Sequence, residues 1–318
     1  MTSIPLLIQQ AQVELERSAA EAEHKFSMAL AQLKATPVAG SDVWGITLGL
    51  CLGLAQVRQN HLADAIESAS QTLARLPSLS WPESRKLHPQ KLDIHVARAT
   101  LEKVLATLTA QGLVAFPCAG TLLGLTREGH LLPFDKDVDI ACPINFFDRI
   151  AQVLLQLGWK PVWLGVDAVN FRAFFHPEHI VTLDLFGYDF DSQHHRMIGG
   201  WWPRGLPREQ GRLLHFSEVQ LHQVSSPHGP YWHILHPETI LSELYGPHWR
   251  EPDPDFDSIL GTPALVAHND FTHAWGYLRL LEAWTHGQRD RFARQLRILE
   301  RLDPHDAVVA MLKSAVVI

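Results

Sequence analysis

The stretch GTLLGLTREGHLLPFDKDVDIA, residues 120–141, joins a turn of small residues to a run of alternating aspartates. Its end, DVDIAC, is apolar and β-branched apart from the acids, and this predicts a strand. Alternate side chains of a strand point to one face, so Asp137 and Asp139 should point together while Val138 and Ile140 face the core. The fold should therefore contain a buried strand with two carboxylates at its edge.

A cation is the expected partner of these carboxylates, because two parallel acids repel each other without one and Mg²⁺ prefers oxygen ligands. A third acid, Asp184, lies in the apolar strand VTLDLFGYD, where burial without a partner is costly. We therefore predict a Mg²⁺ or Mn²⁺ site formed by Asp137, Asp139 and Asp184. The alternatives are a solvated strand end for the pair, and a salt bridge or an edge position for Asp184.

The turn before the aspartates has the composition of a phosphate-binding turn. A short strand, LVAFP, ends just before it, and Gly120, Thr121 and Gly124 lead into a short helix. Such a turn exposes backbone N–H groups and a hydroxyl, which suit a phosphate. Arg127 follows roughly two helical turns on and can reach the same anion. The sequence thus predicts an anion site beside the carboxylates.

Strands and helices are interleaved around this stretch, which indicates an α+β or α/β-type domain with a mixed sheet. The segments WKPVWL, NFRAFFH and IVTLDLFGYDF are rich in aromatic and β-branched residues and predict strands. Residues 145–157 predict an amphipathic helix with Asn145 as its N-cap. We assign residues 89–265 to this domain.

Residues 1–88 are predicted to be helical. Residues 14–33 are rich in good helix formers. The following stretch has Gly53, Ala65 and Pro77 at spacings that resemble one tetratricopeptide repeat, since small residues let two antiparallel helices approach and proline stops the second helix. A generic helical hairpin is the alternative. If the chain binds a protein partner, this helical region is the expected surface.

The C-terminal segment, residues 266–318, also predicts a helical hairpin. Its sequence WGYLRLLEAWTHGQRDRFARQLRILERLDP places Gly287 at the turn and Pro304 after the second helix. The expected organisation is therefore a central mixed-sheet domain flanked by helical regions.

The composition limits the classes of protein that this chain can represent. The formal net charge is -7 and the sequence pI about 6.2, which argues against a protein that coats nucleic acid. The three cysteines form no Cys-x-x-Cys pair, so neither a disulfide framework nor a cysteine-rich zinc site is expected. No secretory signal and no membrane span are predicted, and the cytoplasm is the expected location.

Histidine is frequent, with 19 residues, many of them between residues 215 and 248. A polar, partly exposed loop region is one interpretation of this cluster, and a zinc site is the other. The zinc interpretation lacks a His-x-x-x-His pair on a convincing helix. The role of residues 215–248 therefore stays open at the level of sequence.

The motif at residues 120–141 resembles the signature of the LicD and fukutin-related proteins. That signature has Gly-Thr-Leu-Leu-Gly, an arginine, and then a Pro-Trp-Asp-x-Asp-x-Asp element, matched here by Arg127 and by Asp135, Asp137 and Asp139. A second family feature, a helix ending in Leu-Tyr-Gly followed by Trp and Pro, is matched by HPETILSELYGPHWREP. The resemblance covers residues 90–260, with Phe134 in place of the usual tryptophan.

The resemblance implies a nucleotidyltransferase fold and a metal-dependent transferase. Relatives move phosphocholine or a polyol phosphate such as ribitol phosphate from a CDP-linked donor to a glycan or another hydroxyl acceptor. By this resemblance Gly120 and Thr121 would cradle the donor phosphate and Arg127 would offset its charge. Asp184 would complete the metal site or act as the base toward the acceptor hydroxyl.

Two other functions are compatible with the same residues. The first is nucleotidyl transfer from an NTP to a small molecule or protein, which needs the same metal geometry. The second is a non-catalytic interaction protein whose transferase core is a relic. Retention of the three motif acids together with Gly120, Thr121 and Arg127 argues against the second.

Overall fold

The first motif, residues 120–141, begins in a helix and ends in a strand of the sheet. A computed structural model describes residues 4–37, 40–84, 92–162, 167–253 and 256–315. They divide into two units. The sheet unit is residues 88–266, and the helical unit is residues 1–87 together with 267–318.

In the part of the chain that the structure describes, the sheet has seven strands and is mixed, which confirms the predicted fold class. The strand order is β1-β2-β5-β4-β3, with β6 paired to β5 and β7 paired to β6. Only the β2–β5 pair among these is parallel. The strands are β1 Phe116–Pro117, β2 Asp137–Pro143, β3 Lys160–Val162, β4 Phe171–His176, β5 Val181–Asp191, β6 Arg196–Trp201 and β7 Arg212–Ser217.

Helices and a small hairpin complete the sheet unit. A two-stranded antiparallel sheet forms from β8 and β9. The remaining elements of this unit, numbered with helices of the other unit in chain order, are α5 Ile94–Ala110, α6 Ala119–Arg127, α7 Ile144–Gln156, β8 Leu221–Val224, β9 Tyr231–Ile234 and α8 Pro237–Tyr245. The second motif therefore forms α8 and the loop after it, as its sequence predicts.

The start of α7 differs from the prediction. The helix begins at Ile144, one residue before Asn145, and its N-cap is Pro143, which makes no side-chain cap hydrogen bond. Pro143 is also the last residue of β2, so the chain passes from strand to helix without a connecting turn. Asn145 is therefore an internal residue of the helix, and its prediction as the N-cap is wrong.

One face of the sheet is the core of the unit. Val138 and Ile140 of β2, with Leu183 and Leu185 of β5, are fully buried. They pack in one apolar cluster with residues of α5 and α7. Burying each such side chain stabilises the fold by about 1.5–3 kcal/mol. This alternation turns the acids of both strands to the opposite face.

The helical unit contains α1 to α4 from the N-terminal region and α9 to α11 from the C-terminal region. Helix α9 packs against α3 and α4. A Cβ at Gly53 would come within 2.5 Å of Leu278 Cδ2, so Gly53 serves the approach of α9 to α3. The helices are α1 Ile4–Arg17, α2 Ala19–Ala35, α3 Ser41–Arg58, α4 Leu62–Leu73, α9 Asp270–Thr285, α10 Arg289–Leu302 and α11 Ala307–Ala315.

The helix-forming stretch 14–33 is interrupted. Ser18 has extended backbone angles and is the N-cap of α2, with its hydroxyl accepting from Glu21 N at 3.4 Å. A serine that satisfies a free N–H group of the first turn favours a new helix start at this position. Among the described residues, no helix is long and apolar enough to cross a membrane. The likeness to a tetratricopeptide repeat stays a prediction.

Candidate active site

Three aspartates lie on one face of the parallel strand pair. Asp139 of β2 is in register with Asp184 of β5, and residues in register on parallel strands point to the same side. Asp137 precedes Asp139 by two residues and shares that side. The three carboxylates line a cleft of about 1270 Å³. The structure thus brings together the three acids that the sequence singles out.

A fourth carboxylate, that of Asp135, reaches the same place from the loop before β2. Its Oδ2 atom lies 3.1 Å from the point where a Cβ of Gly120 would stand, and Asp139 Oδ2 lies 3.2 Å from that point. Gly120 is therefore the position that both carboxylates approach. The missing side chain at Gly120 leaves room for two acids side by side at the cleft floor.

Thr121 lies under the cleft floor and holds Asp139. Its hydroxyl accepts a hydrogen bond from Asp139 N at 2.7 Å, and its backbone N–H donates to Asp139 Oδ2 at 3.3 Å. The side chain is buried, with 1% of its surface exposed. The resemblance implies that Thr121 contacts a donor phosphate. In the structure its hydroxyl contacts the backbone N–H of Asp139. Of the predicted phosphate-binding residues, Gly120 and Arg127 line the cleft.

Gly124 lets α6 sit close to the loop that carries the acids. A Cβ at this position would be 2.8 Å from His130 O and 3.0 Å from Leu132 N. Contacts this short to backbone atoms leave no space for a side chain. Gly124 therefore sets the distance between α6 and residues 130–132, which lead into Phe134 and Asp135.

Arg127 connects the two sequence motifs. Its side chain donates to the Trp249 carbonyl at 3.3 Å and pairs with Glu128 at 2.8 Å. The loop after α8, which carries Trp249, thereby closes one side of the cleft, and Tyr245 at the end of α8 lines it too. The sequence of this second motif resembles a family feature, but it contains no signal that places it at the site.

The far wall of the cleft is held by Arg212. This buried side chain donates to the carbonyl oxygens of Ser258 and Ile259, at 2.5 and 2.6 Å. Its guanidinium lies 5.1 Å from the ring centroid of Trp201, a cation–π distance. No sequence signal marked Arg212, because its partners are backbone atoms more than 40 positions away.

Aromatic side chains make up much of the remaining wall. Phe134 is two-thirds exposed although it is a large apolar residue, and it stands beside Asp135 at the cleft. The aromatic residues that line the cleft are Phe134, Phe186, Tyr188, Trp201, Phe216, Tyr245, Trp249 and Phe256. A cleft with acids on its floor and rings on its walls offers both metal ligands and stacking surfaces.

Burial raises the pKa values of all four acids, and repulsion by neighbouring carboxylates adds to this for Asp135, Asp139 and Asp184. Burial, reinforced by the charge of Asp137, raises the pKa of Asp184 to about 8 and that of Asp135 to about 6. The pKa of Asp139 is raised well above its ordinary value by burial and then by the other three carboxylates. Burial also raises the pKa of Asp137. These acids need positive charge to be ionised together.

The carboxylates suit a divalent cation with oxygen ligands. The Oδ1 atom of Asp184 is buried and makes no hydrogen bond, and a buried acceptor without a partner is costly. No choice of one oxygen each from Asp137, Asp139 and Asp184 brings all three within 4.8 Å of one another. Mg²⁺ in transferases is usually held by one or two carboxylates plus substrate phosphates, so this spacing is compatible with it.

The sheet unit is a mixed-sheet domain whose cleft holds four aspartates and is lined by aromatic residues. Residues 112–226 match the family described as LicD/FKTN/FKRP, nucleotidyltransferase domain. Residues 112–226 are therefore similar to the nucleotidyltransferase domain of that family, as the motif at residues 120–141 indicates. The match supports a role as a transferase.

Two other comparisons add little. The solved structure of the lincosamide antibiotic adenylyltransferase LnuA, with lincomycin bound, resembles this chain with a TM-score of 0.32 and 13% identity. The similarity covers 48% of this chain and 86% of that one. A likeness at this level carries no conclusion about activity or substrate. No curated protein sequence matches significantly.

Proposed function

We propose that the sheet unit is a metal-dependent transferase. It moves a phospho-group, phosphocholine or a polyol phosphate, from a CDP-linked donor to a hydroxyl of a glycan or another acceptor. The observation that supports this most is the register of Asp139 with Asp184 on parallel strands, with Asp137 on the same face of the sheet. The family match at residues 112–226 supports the type of donor.

Mg²⁺ or Mn²⁺ would be held by Asp137 and Asp139 at the cleft floor, together with phosphate oxygens of the donor. When bound, the cation neutralises charge on the donor phosphates and on the leaving nucleotide. Thr121 keeps Asp139 in place through its hydroxyl. Arg127, at the same cleft, offsets phosphate charge.

The acceptor hydroxyl attacks the phosphorus that carries the alcohol group of the donor. A new oxygen–phosphorus bond forms, the phosphoanhydride bond breaks, and CMP leaves with the electron pair. Asp184 would either complete the metal site or take the proton of the attacking hydroxyl. Its unpaired Oδ1 atom is the group that would accept this proton.

The size of the cleft also favours a reaction between two substrates. Sites for one small ligand measure about 300–1,000 Å³, and this cleft has a volume of about 1270 Å³. A cleft of this size can accommodate a nucleotide-linked donor and an acceptor together. The acids would face the donor phosphates, and the aromatic residues would face the rest of the substrates. The rings of Trp201 and Phe134 supply flat apolar surfaces for a base or a sugar.

The test is a donor screen with Mg²⁺ and a hydroxyl acceptor. CDP-choline and CDP-ribitol are compared with CTP and ATP, and released CMP and pyrophosphate are measured separately. Release of CMP from a CDP-linked donor, coupled to acceptor modification, supports the proposal. Release of pyrophosphate from an NTP identifies a nucleotidyltransferase and overturns it. Absence of turnover and of nucleotide binding with every donor also overturns it.

A further inference from the structure

A second group of potential metal ligands lies at the turn between β4 and β5. His176 ends β4, and Glu178 and His179 follow in the turn. One ligand atom from each of these side chains lies within 4.8 Å of the other two. Across the described ranges of the chain, no other trio of histidine, cysteine or acidic residues meets this criterion.

The His176 ring is fixed in an orientation that suits a metal ligand. The side chain is only 8% exposed, and it packs edge-to-face against Trp159, with ring centroids 5.1 Å apart. Its Nδ1 atom accepts a long hydrogen bond, 3.4 Å, from the His179 backbone N–H. Because a backbone N–H can only donate, Nδ1 is unprotonated and the ring proton is on Nε2. In this neutral tautomer Nδ1 can bind a metal, which would replace the long hydrogen bond from the His179 N–H.

The turn holds the other two potential ligands beside the His176 ring. The His179 ring stacks on the His176 ring at 4.3 Å, with an angle of 23° between the planes. Ile180 N donates to His176 O at 2.9 Å, and Ile180 has a φ of 52°. A β-branched residue rarely adopts a positive φ, and the strain costs on the order of 1–3 kcal/mol. The backbone thus keeps a strained turn that places both histidines and Glu178 together.

We propose that His176, Glu178 and His179 bind a divalent transition metal, with zinc as the best match. Two imidazoles and one carboxylate are an established zinc ligand set, which leaves the fourth tetrahedral position for water or a further ligand. The set differs from the all-oxygen floor of the cleft, which suits Mg²⁺. A metal at this turn would clamp β4 to β5 close to Asp184, five residues after His179.

The test uses zinc alone with the full chain, by competition with a chromophoric chelator and by calorimetry. One zinc per chain is expected, with a rise in Tm on binding. His179→Ala and Glu178→Gln, both at partly or fully exposed positions, should weaken zinc binding by more than about 100-fold, since even residues that only support a ligand are worth about 10–100-fold. Cobalt in place of zinc should give the intense absorption of a tetrahedral site.

Two controls separate this site from other metal-binding groups. His194→Ala removes an exposed histidine that pairs with Asp191 on the neighbouring turn, and it should leave zinc affinity unchanged. Asp137→Asn alters the cleft floor and should also leave it unchanged. The proposal is overturned if the two turn variants, folded by circular dichroism, bind zinc as the wild type does. The proposal is equally overturned if Asp137→Asn abolishes the binding of the one zinc ion per chain.

Discussion

Asp139 is the residue on which most contacts of the candidate site converge. Thr121 binds both its backbone N–H and its carboxylate, and the Asp139 carbonyl accepts from Cys118 N at 3.1 Å. Its carboxylate shares the Gly120 position with Asp135 and is in register with Asp184. Hydrogen bonds therefore fix the backbone of Asp139. The neighbouring carboxylates repel its own carboxylate and raise its pKa.

Asp139→Ala should abolish transfer and leave the fold intact. The backbone bond to Thr121 survives the change, and removal of one buried acid relieves repulsion, but a ligand carboxylate is lost. We expect a fall in kcat on the order of 10³-fold or more, since such a ligand contributes several kcal/mol. Asp148→Asn, at an exposed acid on α7, is the control for loss of charge. Wild-type turnover in Asp139→Ala would refute the assigned role.

Thr121→Val should show that this residue positions Asp139. The variant keeps the shape of the side chain and leaves Asp139 N–H without its acceptor, which costs about 1–3 kcal/mol of stability. A shift of the carboxylate should lower kcat on the order of 10- to 100-fold. Thr121→Ser restores the acceptor and should recover activity. If Thr121→Val raises KM for the donor and leaves kcat unchanged, the hydroxyl binds phosphate instead.

Asp184→Asn should change how stability depends on pH in the metal-free chain. The pKa of Asp184 is about 8 in the folded state and 3.8 in the reference state. Between these values the folded chain keeps a proton that the unfolded chain has lost, so wild-type stability falls as pH rises. Asparagine does not ionise. The free energy of unfolding of Asp184→Asn should therefore exceed that of the wild type by an amount that grows from pH 4 to pH 8, at up to about 1.4 kcal/mol per pH unit. Denaturant unfolding with EDTA measures this, and a pH-independent difference would contradict it.

At residue level, the sequence identified the acids and missed what supports them. Strand alternation is a local property, so Asp137 and Asp139 could be placed on one face from the sequence. The match of Asp184 to Asp139 depends on strand register, which the sequence of one strand does not contain. The role of Thr121 could not be found either, because its partner is 18 positions away and is a backbone N–H group.

At the level of elements, close packing between α6 and the following loop determines where the acids stand. The sequence predicted that β2, β4 and β5 are strands, because these segments have strong apolar and β-branched patterns. The ends of helices and strands were harder to predict. Ser18 starts a new helix inside a helix-forming stretch, and Pro143 joins β2 directly to α7. Such boundaries depend on capping and on the path of the chain, which propensity averaged over a window does not capture.

Gly124→Ala should disturb the site through packing between elements. The new Cβ would meet His130 O and Leu132 N at 2.8 and 3.0 Å, so α6 or the loop must move. We expect a loss of about 1–3 kcal/mol in the free energy of unfolding and a lower kcat. Gly129→Ala is a matched control with open space around its Cβ and a φ of 75°, so it should cost about 1 kcal/mol and spare activity. Equal kcat values in the two variants would exclude this packing role.

At the level of the whole molecule, the described N-terminal and C-terminal segments belong to one helical unit. The sequence indicated helices in both segments but gave no sign that they pack together, because their patterns are local and their contacts are not. The close contact between Gly53 and Leu278 joins positions 225 residues apart. The sheet unit lies between these segments in sequence and has its own apolar clusters.

A fragment of residues 88–266 should bind Mg²⁺ and nucleotide as the full chain does. Among the described residues, those that line the cleft all lie between positions 119 and 259, and the core beneath the acids is formed within the same unit. Burial of one complete core is the physical requirement for independent folding. Calorimetry on the fragment and the full chain should give dissociation constants within roughly threefold of each other, about 0.7 kcal/mol. Asp139→Ala in the fragment is the control for specific binding. A folded fragment that binds neither ligand would show that the helical unit contributes to the site, because the sheet unit alone would then be insufficient.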